Sequence, residues 1–325
     1  MAGEIWAIGE IAGGQPTRLA RELATLAAGL AAESGRTARA VLVGPDASTA
    51  AESLAANGPD VLAVDADPGD RPVAAVIAEQ VAALARDRQP SFLFVGASND
   101  GRDVAGMLQA LLDWGALVNA AGVRWQDEAP QAEMSVFGGR LVTLSHLAAD
   151  HGIVIVRPSS VTAEEAARPG KVAAIAPAAV DPLPAVRIVE RIAEASAAVS
   201  IEEAPVIVAG GRGVGGPDGF AVVQELAEVL GGVVGATRAV VDAGWIGYAH
   251  QIGQTGKTVK PALYVAAGIS GAIQHKVGMQ TSGTIIAINR DPDAPIGEFA
   301  DLMVIGDLFE ILPRVSAGVR ARRGG

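Results

Sequence analysis

The sequence predicts an α/β protein of two domains, each a mostly parallel sheet flanked by helices, the C-terminal one doubly wound. Three observations carry that expectation. Short apolar runs alternate with longer helical patterns, the rhythm that strand-helix-strand crossovers produce. Half of the residues are hydrophobic, only 4% are aromatic and 40 are glycine, a mix suited to layered sheets joined by tight turns. At 325 residues the chain is longer than one hydrophobic core usually supports.

The elements follow in order. "EIWAIG" opens as a strand, Pro16 to Glu33 as a helix, and "ARAVLVG" as the next strand. Ser48 to Asn57 reads as helix, "DVLAV" as strand, Pro72 to Arg86 as helix and "SFLFVG" as strand. "MSVFGGRLVTLS", with Gly138 and Gly139 between two β-rich arms, reads as a hairpin, and "GIVIVRP" as a later strand. The first domain is therefore expected to end in antiparallel strands. Pro182, Pro184 and Pro205 bracket a polar, Ala-rich stretch that places the boundary near Ser200, giving domains 1–199 and 200–325.

Charge and composition exclude several classes. A net charge of -11 opposes nucleic acid and anionic membrane surfaces, both of which require a basic face. The basic cluster "RARRGG" reads as a frayed terminus. The absence of cysteine removes disulfides, thiolate metal sites and Cys nucleophiles. "MAGEIWAIGE" lacks the charged and apolar regions of a signal peptide, so a cytoplasmic location is expected. The apolar stretch Leu23 to Ala32 lies between Glu22 and Glu33 and falls far short of the ~20 residues that span a bilayer.

The second domain carries the chemistry. Five apolar runs, "VIVAG", "VVGA", "LYVAAG", "TIIAI" and "LMVIG", each lead into polar or glycine-rich text. In an open parallel sheet the carboxyl ends of the strands line one crevice, where ligands bind. Five such ends point to a dinucleotide-sized ligand. In "GISGAIQH", Gly268 to His275, a strand stops and a helix restarts, exposing backbone N–H groups suited to phosphate. Gly211, Gly213 and Gly216 spell G-x-G-x-x-G between a strand and a helix spanning Asp218 to Leu230. Thr237-Arg238 stands where NAD would need an acidic residue for its ribose, which disfavours NAD. Arg238 could instead meet a 2′-phosphate, so an NADP-binding oxidoreductase subunit remains open, as does a flavin-free nucleotide-sensing or assembly protein. Arg212 could pair with a phosphate from the side.

"GRG", "TRAVVDAGW", "QIGQTGKTVKPALYVAAGISGAIQHKVGM", "TIIAINRDPDAPI" and "ADLMVIGDLFEILP" together resemble the FAD-binding domain of electron-transfer flavoprotein alpha subunits, nearly continuously over Val206 to Pro313. The first domain resembles the family in length, rhythm and its opening "IWAIGE". The resemblance implies FAD as cofactor and assigns roles. Arg212 resembles the arginine that contacts FAD. Gly268, Ser270, Gly271, Ala272, Ile273 and Gln274 resemble the stretch that cradles phosphate and ribityl oxygens, and His275 the histidine facing the flavin pyrimidine carbonyl. Gly253, Gln254, Thr255 and Gly256 resemble the loop at flavin N5, with the Thr255 hydroxyl bonded there, and Gln251 and Ile252 before it are assigned to the cofactor site as well. Thr237 stands where the family more often has Ser, and Arg238 resembles the arginine stacked over the isoalloxazine. Asn289, Asp307 and Leu308 resemble the residues at the adenosine end, while Asp291 and Asp293 read as turn-formers beside Pro292 and Pro295. No metal is expected.

By the same resemblance the chain is a carrier without substrate chemistry of its own, paired with a beta subunit through its first domain. Donors would be flavoprotein dehydrogenases, such as the acyl-CoA dehydrogenases of fatty-acid β-oxidation. The acceptor would be a membrane-bound quinone reductase feeding the respiratory chain.

Overall fold

A computed structural model describes residues 3–136, 141–180, 186–190, 201–202 and 204–323. The expected turn at Gly138-Gly139 and the expected boundary near Ser200 lie outside the described residues. The chain divides into two compact units, Met1–Arg191 and Ile192–Gly325.

The first unit contains β1 (Glu4–Gly9), the small hairpin β2 (Ile11–Ala12) and β3 (Gln15–Pro16), α1 (Arg18–Ser34), β4 (Thr37–Gly44), α2 (Ala47–Ala55) and β5 (Asp60–Asp65). It continues with α3 (Val73–Arg88), β6 (Phe92–Gly96), α4 (Asn99–Leu112), β7 (Ala116–Gln126), β8 (Ala129–Val136), β9 (Leu141–Ser145), β10 (Gly152–Val156) and β11 (Val172–Ile175). The helix ends follow local chemistry. The Thr17 hydroxyl accepts the Ala20 amide at 3.1 Å, and Gly35 closes α1 in the left-handed conformation at φ 68°.

The sheet runs β11-β5-β4-β1-β6-β10-β7-β8-β9. Strand alternation splits the core into two layers: Ile5 and Ala7 pack with Leu23, Leu30 and Leu54 from α1 and α2, while Trp6 and Ile8 pack with Val81 and Leu108 from α3 and α4. The hairpin expectation holds for β8 and β9, which pair antiparallel. The expectation for "GIVIVRP" does not. β10 pairs parallel with both β6 and β7, and all five of its residues are buried. A continuous apolar run is the mark of a strand covered on both faces, the environment of a central parallel strand. β7 carries no strand period in its sequence: Asn119 takes φ 70° and a register shift interrupts its pairing, which destroys the alternation that a strand otherwise displays.

The second unit contains β12 (Val206–Gly210), α5 (Phe220–Leu230), β13 (Val233–Thr237), α6 (Arg238–Asp242), β14 (Gln251–Ile252), β15 (Leu263–Ala267), α7 (Ile273–Met279), β16 (Thr284–Asn289), β17 (Leu302–Ile305) and α8 (Leu308–Arg323). Its six strands are ordered β14-β13-β12-β15-β16-β17 and all pair parallel. Numbered within the unit this is 3-2-1-4-5-6, the doubly wound arrangement, whose strand order reverses between β12 and β15. Among the described residues no helix is long and apolar enough to cross a membrane, and no group of three His, Asp or Glu side chains is placed to hold a metal ion.

Candidate functional site

A cleft of about 680 Å³ runs along the carboxyl edge of the second sheet, within the ~300–1,000 Å³ usual for cofactor sites. Every strand of that sheet delivers residues to it: Gly211 to Gly213 after β12, Thr237 and Arg238 after β13, Ile252 to Thr255 from β14, Gly268 to Ser270 after β15, Ile288 to Asp291 from β16, and Gly306 with Leu308 after β17. Five of these ends were legible as strands; the sixth, the two-residue β14, was too short to show a period.

At the switch point the two glycine loops touch backbone to backbone. Gly211 N donates to Ala267 O at 2.9 Å and Gly213 N to Gly268 O at 3.0 Å. A Cβ on Gly213 would lie 2.6 Å from Gly268 Cα, and Gly268 itself holds φ +62°. Glycine is demanded there by the close approach of two backbone segments. Gly216 meets nothing within 4 Å and is extended, so the third glycine of the motif answers no such demand.

Beside these loops Arg212 lines the cleft and makes no ion pair among the described residues. Arg238, which also lines the cleft, has its Nε 3.1 Å from Asp242 Oδ2, with both side chains more than half exposed. Arg290, at the end of β16, donates to Asp307 Oδ2. Asp307 Oδ1 accepts the Phe309 amide at 2.9 Å, which caps α8. The bond from Arg290 first, then the one from Phe309, hold the Asp307 carboxyl below the usual range.

The loop after β14 is tied down on all sides. Gln254 N donates to Gln274 O at 2.7 Å and Gly253 N to Lys257 O at 3.1 Å. The Tyr248 hydroxyl donates to Thr255 O at 2.9 Å, and Gln251 Nε2 donates to Thr255 Oγ1 at 3.2 Å.

His275 is buried and spends both ring nitrogens inside the protein. Nδ1 lies 3.0 Å from Ile252 O, and a carbonyl can only accept, so Nδ1 carries the proton. Nε2 then accepts from the Tyr264 hydroxyl at 2.9 Å. Burial pushes the His275 pKa down to about 4 against the bond to Ile252, and pushes the Tyr264 hydroxyl well above its ordinary range. The imidazole is therefore neutral near pH 7.

This shift makes a prediction for stability. An unfolded histidine titrates at ~6.5, so below that pH the unfolded chain binds the proton that native His275 refuses. The stabilisation is complete above pH 6.5 and is lost as pH falls to about 4, a loss of about 3 kcal/mol from this one residue. In thermal melts over that window, His275→Asn flattens the acid slope. An unchanged slope would refute the assignment.

The comparisons decide the family. The model of the electron transfer flavoprotein domain matches residues 5–181, and that of the electron transfer flavoprotein FAD-binding domain matches 200–280. Over 315 residues the chain is 40% identical to the electron transfer flavoprotein subunit alpha of Thermoanaerobacterium thermosaccharolyticum, covering 95% of this chain and 96% of that one. It is 39% identical to the subunit alpha of Mycobacterium tuberculosis, covering 99% of both, and 34% identical to that of Bacillus subtilis, covering 96% of both. The chain belongs to the electron transfer flavoprotein alpha-subunit family.

Against that membership the expected site residues fall into two groups. Arg212, Thr237, Arg238, Ile252, Gly253, Gln254, Thr255, Gly268, Ser270, Ala272, Gln274, His275, Asn289 and Leu308 all line the cleft of the family's FAD-binding domain. Gln251, Gly256, Gly271, Ile273 and Asp307 do not. Gln251 is only 3% exposed; Gly256 sits where a Cβ would meet Gln251 O at 2.4 Å, and Gly271 where one would meet Ile296 N at 2.3 Å. Ile273 is 64% exposed, and Asp307 is engaged by Arg290 and the α8 cap. Asn289 also braces the site, with Nδ2 donating to Ile269 O at 2.9 Å and Oδ1 accepting from Asp291 N. Asp291 in turn accepts from Asp293 N, the turn-forming use expected of these carboxylates. Arg290 and Asp242 line the cleft but escaped the sequence reading. Arg290 directly follows Asn289 at a strand end, a position that could have flagged it.

Proposed function

We propose that this chain is the FAD-carrying subunit of a heterodimeric, cytoplasmic electron carrier that takes electrons from flavoprotein dehydrogenases, acyl-CoA dehydrogenases among them, and hands them to a membrane-bound quinone reductase of the respiratory chain. The observation that carries the reading is Arg212, a guanidinium without an ion pair among the described residues of a chain with net charge -11, placed where two glycine loops meet at the switch point. That combination suits a pyrophosphate. Bound flavin supplies the means to accept an electron pair and release electrons singly. The chain's own residues bind and orient it: Arg212 and the loop from Gly268 to Gln274 toward the phosphates and ribityl chain, Thr255 and Arg238 toward the ring, Asn289 and Leu308 toward the adenosine.

Support for a partner comes from the first unit. β9 is an edge strand, and Leu141, Val142 and Leu144 on it and Val118 on β7 are exposed apolar side chains. An edge of this kind suits coverage by another chain. Co-expression with the candidate beta subunit is expected to give a yellow 1:1 heterodimer by light scattering and visible absorption. A flavin-loaded monomer that ignores that subunit overturns the heterodimer. A colourless protein that retains a nicotinamide or other nucleotide overturns the carrier.

A further inference from the structure

We infer that Gln251 is a positioning residue that aims the Thr255 hydroxyl hydrogen into the cleft. The inference rests on the FAD reading above and redefines Gln251, which the family resemblance had placed in contact with cofactor.

A threonine hydroxyl has one hydrogen and two lone pairs, and it turns to suit its neighbours. Left alone, Thr255 could offer the cleft either a donor or an acceptor. Gln251 narrows that freedom. Its carboxamide Nε2 donates to Oγ1 at 3.2 Å, occupying one lone pair, so the hydroxyl hydrogen must point elsewhere. Thr255 makes no donated side-chain hydrogen bond among the described residues, and it lines the cleft while Gln251 lies behind it. The hydrogen is thereby left for the ligand.

The frame around this pair is rigid. Thr255 O is held by the Tyr248 hydroxyl, and Gln251 O accepts from Lys257 N at 2.8 Å. Gly256 packs so closely on Gln251 that no side chain fits between them. The loop cannot rotate to give the hydroxyl a different partner, so the direction of the hydrogen is decided by which group Gln251 presents. The ligand chemistry this selects is an acceptor, such as an unprotonated ring nitrogen of an oxidised heteroaromatic cofactor.

The test exploits a near-isosteric reversal. At pH 8 Gln251→Glu presents only acceptors, draws the Thr255 hydrogen backward and leaves lone pairs facing the cleft. FAD affinity of the assembled heterodimer, its oxidised visible band and its first one-electron potential are measured for Gln251→Glu, for Thr255→Val and for the double variant. The expected result is that both single variants weaken FAD binding by roughly 2- to 12-fold, the range commanded by one neutral hydrogen bond, and move the visible band alike. In the Thr255→Val background the part of the effect that runs through the hydroxyl is gone, so Gln251→Glu then adds only the smaller shift that its own negative charge produces. An equal effect in both backgrounds overturns the inference, as does a wild-type band and affinity in Gln251→Glu. Should Gln251→Glu fail to assemble, Gln251→Met removes the amide donor without a buried charge, and the same comparison of backgrounds decides. A wild-type heterodimer that holds no flavin is a separate result, seen before any variant is made: it overturns the FAD reading and takes this inference with it.

Discussion

With FAD bound, Arg238→Ala lowers the potential of the first one-electron step by roughly 40–130 mV, the equivalent of about 1–3 kcal/mol of charge-assisted stabilisation. Adding an electron without a proton places negative charge on the ring, and a fixed cation nearby stabilises it without reorganisation. Arg238 lines the cleft and its side chain is 63% exposed, so solvent screening sets the effect toward the lower end of that range. Arg238→Lys restores part of the potential, because a point charge replaces the guanidinium but cannot stack as a plane. The ion pair with Asp242 adds an opposing test. Asp242→Asn removes the carboxylate that offsets the cation and should raise the potential. His275, held neutral by burial, offers no such charge, so its replacement should move the potential less than Arg238→Ala does. Reductive titration with reference dyes measures all of these. If Arg238→Ala retains FAD at the wild-type potential, the loop after β13 does not face the flavin.

Arg212→Ala weakens FAD binding by roughly 10- to 150-fold, since hydrogen bonds to charged groups contribute about 1.5–3 kcal/mol each. The residue has no ion pair among the described residues to lose, so its removal leaves no stranded carboxylate and the effect should appear in binding while the melting temperature of the apoprotein stays unchanged. Arg212→Lys keeps the charge and loses the fork, giving an intermediate loss that is sensitive to salt. Fluorescence titration of the apoprotein with FAD measures the constant, repeated at two ionic strengths. Unaltered affinity in Arg212→Ala would remove the pyrophosphate from the switch point.

Much of the architecture was legible because local rules and global packing agree in it. The alternation of "EIWAIG" and "ARAVLVG" with helical stretches reports sheet layers directly, since a βαβ unit buries each strand on both faces. The five apolar runs of the second unit were readable for the same reason, and each delivers its continuation to one edge. Where the reading failed, the missing information was non-local. The apolar run of "GIVIVRP" marks a strand covered on both faces, but nothing within it names its neighbours: the insertion of β10 between β6 and β7 joins segments far apart in sequence. β7 hides its period behind a positive φ at Asn119 and a register shift.

The site divides along the same line. Sequence by itself determined which residue types stand at the strand ends: the glycines at 211, 213 and 268, the arginines at 212 and 238, and the hydroxyl at 255. Their chemistry follows from identity and from the rule that loops at the carboxyl edge of a parallel sheet converge. Only the tertiary structure decided what each group is free to do. Arg238 is paired with Asp242, and Arg212 has no ion pair among the described residues. His275 is neutral because Tyr264, eleven residues earlier, and the Ile252 carbonyl close on it in a buried pocket. Gln251 turns away from the cleft to direct Thr255, and Asp307 serves Arg290 and a helix cap. Protonation, hydrogen-bond direction and ion pairing depend on distances between chain segments and on the water excluded from between them, quantities that come into existence when the sheet assembles.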